Sequence, residues 1–379
     1  MRRRWHFAAP CGPSRLTGAA LTAIAATLLL LPSAAFAQSS VGRAATAATG
    51  RSLQDAVEKN MNDLLNDGGA GAMTAVPTGR LRTSGHDAMK IDGADPNNYA
   101  WRSNEGSAFA NVVTRLPGTV LGGQVRLVSF VGGNWLSLDM ENGGGNTLNV
   151  LTNQHGGARN ESLLWGSSVL WAQKNTYLMA MFVGFLGETT LNDAIDFCGV
   201  ATCPLRQYKF NTSGFMGTLT AGQVFDLSKA PTGPKLDIRV SGSYIQNIGD
   251  RYFADPDDPN PPFTDVEAFR QKWKFSTFTL MGSATLFSNI TMANSALLRP
   301  YLQTYVRQEL GYTSKLHVIF NDTGIEQLIH YDQAHTYGGV DVGLTYTQGK
   351  MTFGAAAYAD VSADERTFGA RLGLSWQLN

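Results

Sequence analysis

The end of the chain alternates strictly between apolar side chains and small or polar ones. In the segment 366–378, one face carries Phe368, Ala370, Leu372, Leu374, Trp376 and Leu378, and the other carries Thr367, Gly369, Arg371, Gly373, Ser375 and Gln377. The segments 350–361 and 337–347 repeat this pattern. A period of two predicts β-strands. Their length of about 9 to 12 residues suits a tilted membrane-crossing strand better than the average strand of a soluble sheet.

Further strands are predicted upstream. Six lie at 297–310, 273–288, 236–248, 212–225, 176–188 and 162–172. Three shorter candidates lie at 124–131, 134–141 and 146–152. The total is twelve, and outer-membrane barrels of bacteria have even strand numbers; ten is the alternative.

The polar side of these predicted strands carries charges at mid-strand. They are Asp237, Arg239, Arg299, Arg307, Glu309, Asp341 and Arg371. Such charges would be costly in the dry core of a soluble sandwich, whereas a barrel would turn them into a wet or plugged lumen. We therefore predict an all-β, antiparallel transmembrane β-barrel with these lumen-facing charges. The lipid face of its C-terminal strand would consist of Phe368, Leu372, Leu374, Trp376 and Leu378.

The predicted connections alternate between long and short, apart from the last one. Those at 189–211, 249–272 and 311–336 are long, and those at 173–175, 226–235, 289–296 and 348–349 are short. Short periplasmic turns and long external loops are typical of outer-membrane barrels, so we expect the long loops to face outside. One of them contains Cys198 and Cys203, for which we predict a local disulfide. A metal pair is less favoured because no histidine stands near them.

The N-terminus has the features of a secretory signal peptide at residues 1–37. Arg2, Arg3 and Arg4 precede an apolar run, and Ala35-Phe36-Ala37 supplies a small-x-small cleavage pattern. This indicates Sec-type export. Elsewhere no apolar run is long enough for a membrane-spanning helix.

Residues 38–119 are interpreted as a short passenger or linker, followed by the barrel at 120–379. A helix is predicted near 52–66, with Ser52 as its N-cap and Leu53, Val57, Met61, Leu64 and Leu65 at helical spacing. Two interpretations remain open: the helix lies in the pore, where Asp55, Glu58, Lys59 and Asp63 meet lumen charges, or it is an amphipathic helix outside the barrel. A weaker helix is predicted at 107–116, and 68–104 is interpreted as loop.

Composition and candidate chemistry add little. The net charge is zero, which gives no indication of a nucleic-acid partner. The histidines are scattered, and the acidic loop residues Asp255, Asp257, Asp258 and Asp265 are typical of a solvated loop rather than of a protease or calcium site. We therefore predict no catalytic, cofactor-binding or metal-binding residues, and no enzyme.

Several segments resemble the translocator domain of type V autotransporter proteins, particularly those of rhizobial relatives. They are 164–168 with 175–178, 212–215 with 221–227, 298–302 and 369–374, in that order along the chain. The resemblance implies a twelve-stranded barrel with a helix through its pore, which places an N-terminal passenger on the cell surface. It also implies periplasmic chaperones and the barrel-assembly machinery as partners. The chain departs from the family in ending Trp376-Gln377-Leu378-Asn379 rather than in an aromatic residue.

The functional prediction is an outer-membrane translocator or surface-display protein of a Gram-negative bacterium with a vestigial passenger, because only about 80 residues separate the signal peptide from the first predicted strand. The alternative is a stand-alone barrel that acts as a narrow channel or as an adhesin-like binding protein through its external loops.

Overall fold

The computed structural model describes residues 48–61, 73–91, 95–143, 155–193, 206–230, 232–252, 269–320, 325–331, 336–362 and 365–378. They contain a helix, α1, at 48–61. The strands are β1 Met73–Ile91, β2 Asp95–Arg115, β3 Gln124–Gly143, β4 His155–Gln173, β5 Thr176–Asp193, β6 Arg206–Asp226, β7 Lys235–Tyr252, β8 Phe269–Phe287, β9 Ile290–Thr291, β10 Leu297–Phe320, β11 Ile325–Tyr331, β12 Thr336–Gln348, β13 Met351–Val361 and β14 Glu365–Gln377.

Within the described residues, twelve strands form a closed antiparallel ring. The order runs β10, β12, β13, β14 and then β1 to β8, and β8 pairs back with β10. The pairing of β1 with β14 joins the two ends of the chain's strand sequence. β11 and the two-residue β9 pair with β10 and lie outside the ring. The predicted all-β antiparallel barrel of twelve strands is confirmed.

The ring has two different ends. Short connections at 116–123, 174–175, 227–234, 288–296 and 349–350 lie at one end, which we call the turn end. The opposite end, which we call the loop end, carries the connections that start after β1, β3, β5, β7, β10 and β13. β1 begins and β14 finishes at the turn end.

Side chains alternate across the wall of the ring. On β14, Phe368, Leu372 and Trp376 are exposed, whereas Thr367 and Arg371 are buried. The other strands repeat this arrangement, and their exposed sets include Val131, Trp135, Leu163, Trp165, Leu178, Phe182, Leu186, Phe215, Leu219, Val240, Leu302, Val306, Val340 and Val342. An apolar outside and a polar inside are the arrangement of a transmembrane barrel. The helix that the structure describes is too short and too polar to cross a membrane by itself.

The first three strands differ from the prediction. β3 runs without a break through Gly132 and Gly133, so the predicted division into 124–131 and 134–141 is wrong. The third candidate, 146–152, lies outside the described residues. The remaining two strands come from 73–115, where we predicted loop and a second helix; the barrel therefore begins at Met73 rather than at residue 120.

The predicted helix at 107–116 is wrong for a physical reason. On β2, Phe109 points into the ring and belongs to its buried apolar cluster, while Val112 is exposed on the outside. Apolar side chains on both faces remove the polar–apolar alternation from the sequence. Several other strands extend further toward the loop end than predicted, such as β10, which continues to Phe320. β4 begins at His155 rather than at residue 162, and its outward residues Arg159 and Glu161 are charged, so the apolar alternation ends there.

Candidate functional site

Helix α1 lies inside the ring. All of its residues are buried except Glu58, which is partly buried, and their contacts are to inward-facing side chains of the strands. Arg51 near its N-terminal end contacts Glu365, the first residue of β14, at the loop end. Met61 at the other end contacts Ser168, close to the turn end. The helix therefore points its N-terminus toward the loop end, and of the two open interpretations the structure supports the helix in the pore.

One side of α1 is apolar and packs on an apolar half of the lumen. Its side chains lie three or four residues apart, which places them on one face of the helix. The cluster they form comprises Leu53, Ala56, Val57 and Met61 of α1 with Phe109, Val128, Phe130, Leu164, Met179, Met181, Val183, Phe185, Met216, Ile245 and Phe275 of β2 to β8. Burial of this face, at roughly 25 cal/mol per Å², stabilises the helix in place without any specific bond.

The helix approaches the wall closely at Gly50. A Cβ atom built there would overlap the ring of Phe275, which is fully buried. A glycine inside a helix normally costs about 0.5–1 kcal/mol relative to alanine, so its presence here reflects this contact.

We predict that Gly50→Ala lowers the free energy of unfolding, although the same change in a free helix would raise it. The reason is the overlap with Phe275, and the measurement is the urea midpoint of the barrel in detergent micelles. Gly50→Ala combined with Phe275→Leu should recover much of the loss. An increase in stability for Gly50→Ala alone would contradict the close approach.

The other side of α1 is charged, and its ion pairs are with β10, β12 and β14. Near the loop end, Arg51 lies 3.2 Å from Glu309 and 3.2 Å from Glu365. The hydroxyl of Tyr337 donates to Glu365 at 3.0 Å, and the Arg51 guanidinium stacks over the Tyr337 ring at 5.7 Å. A cation held between two carboxylates fixes the helix against rotation as well as translation.

The middle of the helix carries an acidic pair. Asp55 accepts a hydrogen bond from Arg307 of β10, and the two side chains are 3% and 6% exposed. Arg307 also lies over the ring of Tyr337, at 4.5 Å. One turn further, Glu58 accepts hydrogen bonds from Gln54 at 2.9 Å and from Ser243 of β7 at 3.1 Å.

Lys59 sits in an aromatic cage toward the turn end. Its Nζ donates to the Tyr305 hydroxyl at 3.0 Å and lies 4.4 and 4.5 Å from the ring centroids of Tyr305 and Tyr358. Each tyrosine lies over a glycine of the next strand, Tyr305 over Gly339 and Tyr358 over Gly369, where a Cβ atom would overlap the ring. Cation–π contacts of this kind are strongest in desolvated sites.

An ion network continues from the cage. Lys59 lies 3.5 Å from Asp341 of β12, and Asp341 lies 2.7 Å from Arg371 of β14. Arg371 in turn donates to the Tyr301 hydroxyl at 2.9 Å. The helix charge is thereby joined to four strands of the wall.

Side-chain amides of the wall also hold the helix by hydrogen bonds. The side chains of Asn60 and Asn111 exchange two hydrogen bonds, at 2.8 and 3.1 Å. Asn134 donates to Ser52 at 3.0 Å. Ser52 lies inside the helix, which already includes residue 48, so its predicted role as the N-cap is wrong.

The remaining predicted lumen charges contact the wall rather than the helix. Asp237 and Arg239 of β7 form a buried pair at 2.6 Å, and the Tyr177 hydroxyl donates to Asp237 at 3.1 Å. Arg299 lies 3.9 Å above the ring of Phe287. These groups fill the lumen near the turn end, beyond the end of α1.

Several residues of the site were not predicted from the sequence. They are Arg51, Glu365, Tyr301, Tyr305, Tyr337 and Tyr358. The strand parity contained the signal, because Tyr301 and Tyr305 share the odd-numbered face of β10 with Arg307 and Glu309. A tyrosine by itself does not identify the lumen side, because its ring and hydroxyl also suit a membrane interface.

Other predicted groups give no site. Cys198 and Cys203, the acidic loop 255–265 and the signal peptide lie outside the described residues. In the part of the chain that the structure describes, no cluster of three histidine, cysteine, aspartate or glutamate side chains is placed to hold a metal ion. The charged groups that face α1 are paired with charges of the helix, which is an arrangement for holding a helix.

No model of a known protein family matches the sequence, and no curated protein matches it either. Solved structures do match. The translocator domain of the autotransporter NalP from Neisseria meningitidis aligns with a TM-score of 0.60 at 13% identity, over 88% of this chain and 97% of that one. The chain has the fold of an autotransporter translocator domain.

Two further structures share this translocator fold. The transport unit of the autotransporter AIDA-I from Escherichia coli aligns with a TM-score of 0.58 at 10% identity, over 82% of this chain and 92% of that one. The β domain of the Bordetella autotransporter BrkA aligns with a TM-score of 0.55 at 13% identity, over 80% of this chain and all of that one. None of the three is rhizobial, so they give no support to the predicted rhizobial likeness.

Proposed function

We propose that the chain is an outer-membrane translocator domain of the autotransporter type, which holds its own N-terminal segment in the pore and presents it at the cell surface. The observation that carries this proposal is helix α1. It occupies the lumen of a closed ring, and its N-terminal end points to the loop end. A channel would keep its lumen open for solute, whereas this lumen holds a helix by apolar packing on one side and ion pairs on the other.

The path of the chain fits export through the pore. The helix ends near the turn end, and β1 starts at the same end. A chain that enters the pore from the turn end and leaves it with its N-terminus at the loop end would run in the direction that α1 takes. With the turn end in the periplasm, the residues before Ala48 would emerge outside.

The proposed location brings particular partners. The exposed apolar belt requires outer-membrane lipid around it. A barrel of this kind needs chaperones to cross the periplasm and an insertion machinery that recognises its last strand, for which the exposed Phe368, Leu372, Leu374, Trp376 and Leu378 of the C-terminal segment are the lipid-facing candidates. No enzymatic step is part of the proposal.

Deleting residues 38–61 should open the pore. In planar bilayers the full mature chain should pass little current, and the deletion variant should show large, stable steps, because α1 and its side chains fill the lumen. The deletion leaves the twelve strands intact, since β1 begins at Met73. Equal conductance of the two proteins would favour the stand-alone channel instead.

The orientation is tested on intact cells. An epitope inserted before Ala48 should bind antibody without permeabilisation, and an epitope beside Lys229, in the turn between β6 and β7, should bind only after permeabilisation. The opposite result would place the turn end outside and end the display function, even if the pore were plugged as proposed.

A further inference from the structure

The turn between β2 and β3, residues 116–123, folds back onto the outside of the barrel. Val120 and Gly123 exchange backbone hydrogen bonds of 2.8 and 3.0 Å, and the Trp171 indole donates to the Val120 carbonyl at 2.8 Å. Trp171 points outward, because its neighbour Leu170 packs against the lumen cluster and Val169 is exposed. The turn is therefore fastened to the outer wall at β4.

The burial of Val125 on β3 also indicates that the turn lies against the outer wall. Val125 belongs to the outward-facing set of that strand together with the exposed Leu127 and Val131. Nevertheless it is buried, and it pairs directly with Trp171. Leu116 donates its backbone N–H to the Val125 carbonyl at 3.0 Å. The turn and Trp171 together cover the edge of the apolar belt at the turn end.

The tip of this turn carries an unusual residue. Leu121 has φ of 52° and is followed by Gly122 with φ of 76°. Two-residue turns with both φ values positive favour asparagine and glycine, since the left-handed region is unfavourable for other residues. Leu121 is nevertheless present, with 88% of its surface exposed, beside Val120 with 55% exposed. Its side chain gives the barrel itself little packing that could offset the cost of this backbone conformation.

We propose that Val120 and Leu121 insert into the lipid leaflet at the turn end, at the boundary of acyl chains and headgroups. This turn then anchors the rim of the barrel in the lipid beside it. Trp171, which the turn contacts, pairs with the exposed Leu178 and lies on the same outward face as the exposed Val169 of the apolar belt. Trp171 takes the interfacial position that tryptophan prefers. Lys174, exposed in the neighbouring turn, supplies a cation for anionic phospholipid headgroups.

The proposal is tested by lipid quenching. The mature chain with Cys198→Ser and Cys203→Ser receives a single cysteine by Leu121→Cys, carries the fluorophore NBD there, and is folded into vesicles of phosphatidylcholine and phosphatidylglycerol. The matched controls are Leu127→Cys on the lipid face and Lys229→Cys in another exposed turn of the same end. We expect a blue-shifted emission at position 121, and quenching by lipids with a shallow nitroxide that approaches the quenching at position 127.

Emission and quenching like those at position 229 would overturn the proposal. A blue shift that disappears as the protein is diluted in lipid would overturn it in favour of contact with a second copy. A second variant needs no label: Leu121→Asn relieves the backbone and removes the apolar side chain. Its unfolding midpoint should be unchanged or higher in detergent micelles and lower in vesicles, and a midpoint that rises equally in both would also overturn the proposal.

Discussion

Asp55→Ala should lower the free energy of unfolding by about 3 kcal/mol, because it removes the direct ion-pair partner of the buried Arg307 cation. The loss falls at the low end of the usual range for a broken buried pair, since Glu58 and Glu309 also lie near this cation. The side chains of Asp55 and Arg307 are almost inaccessible, and Arg307 comes from β10 while Asp55 comes from the helix. The loss is measured from urea titrations of the folded protein in vesicles. It should change little between low and high salt, since buried pairs are screened much less than exposed ones.

The matched control replaces both partners. Asp55→Ala with Arg307→Met removes the two charges together, and replacing a buried pair by apolar groups is often nearly neutral. The double variant should therefore be more stable than Asp55→Ala alone. If the two variants were equally unstable, the loss would come from the shape of the site rather than from an unpaired charge.

The same pair shows how far the sequence could predict the site. Arg307 and Glu309 were expected in the lumen from strand parity, and Asp55 and Lys59 were named as groups that could meet lumen charges. Which charge meets which depends on the rotation and depth of the helix. That is set by the apolar cluster around Phe275 and Phe185, and periodicity along a single segment contains no information about it.

The three strands nearest the N-terminus show a different limit. Most ring strands from β4 onward were predicted near their observed positions because their outward and inward faces differ in polarity. β5 is apolar on both faces and was predicted as a continuous apolar run of strand length. β11, which lies outside the ring, falls within the predicted loop 311–336. On β2, Phe109 and Val113 face the apolar side of the helix while Val112 faces outward, so the two faces look alike in the sequence. Where the lumen is apolar because it packs against the apolar side of α1, strands lose the polar–apolar alternation by which they are predicted.

The outward surface is expected to respond to charge according to depth. On β12, Val342 is 54% exposed and pairs with Leu302 of β10 and Ala357 of β13, which places it in the middle of the apolar belt. At the rim near the loop end the outward side chains are already charged, as in the exposed pair of Arg159 and Glu161 at 2.6 Å. The outward surface of the barrel thus includes both an apolar middle region and a charged rim.

Val342→Arg should cost about 2–4 kcal/mol of folding free energy in vesicles, as expected for arginine at the midplane of a bilayer, whereas the cost falls to roughly 0–1 kcal/mol near the interfaces. The control is Asn211→Arg, on the outward face of β6 opposite Glu188. Both variants are compared by urea titration in vesicles and again in detergent micelles. Because the difference arises from lipid, it should be large in vesicles and small in micelles. Equal costs at the two positions in vesicles would contradict a membrane around this belt.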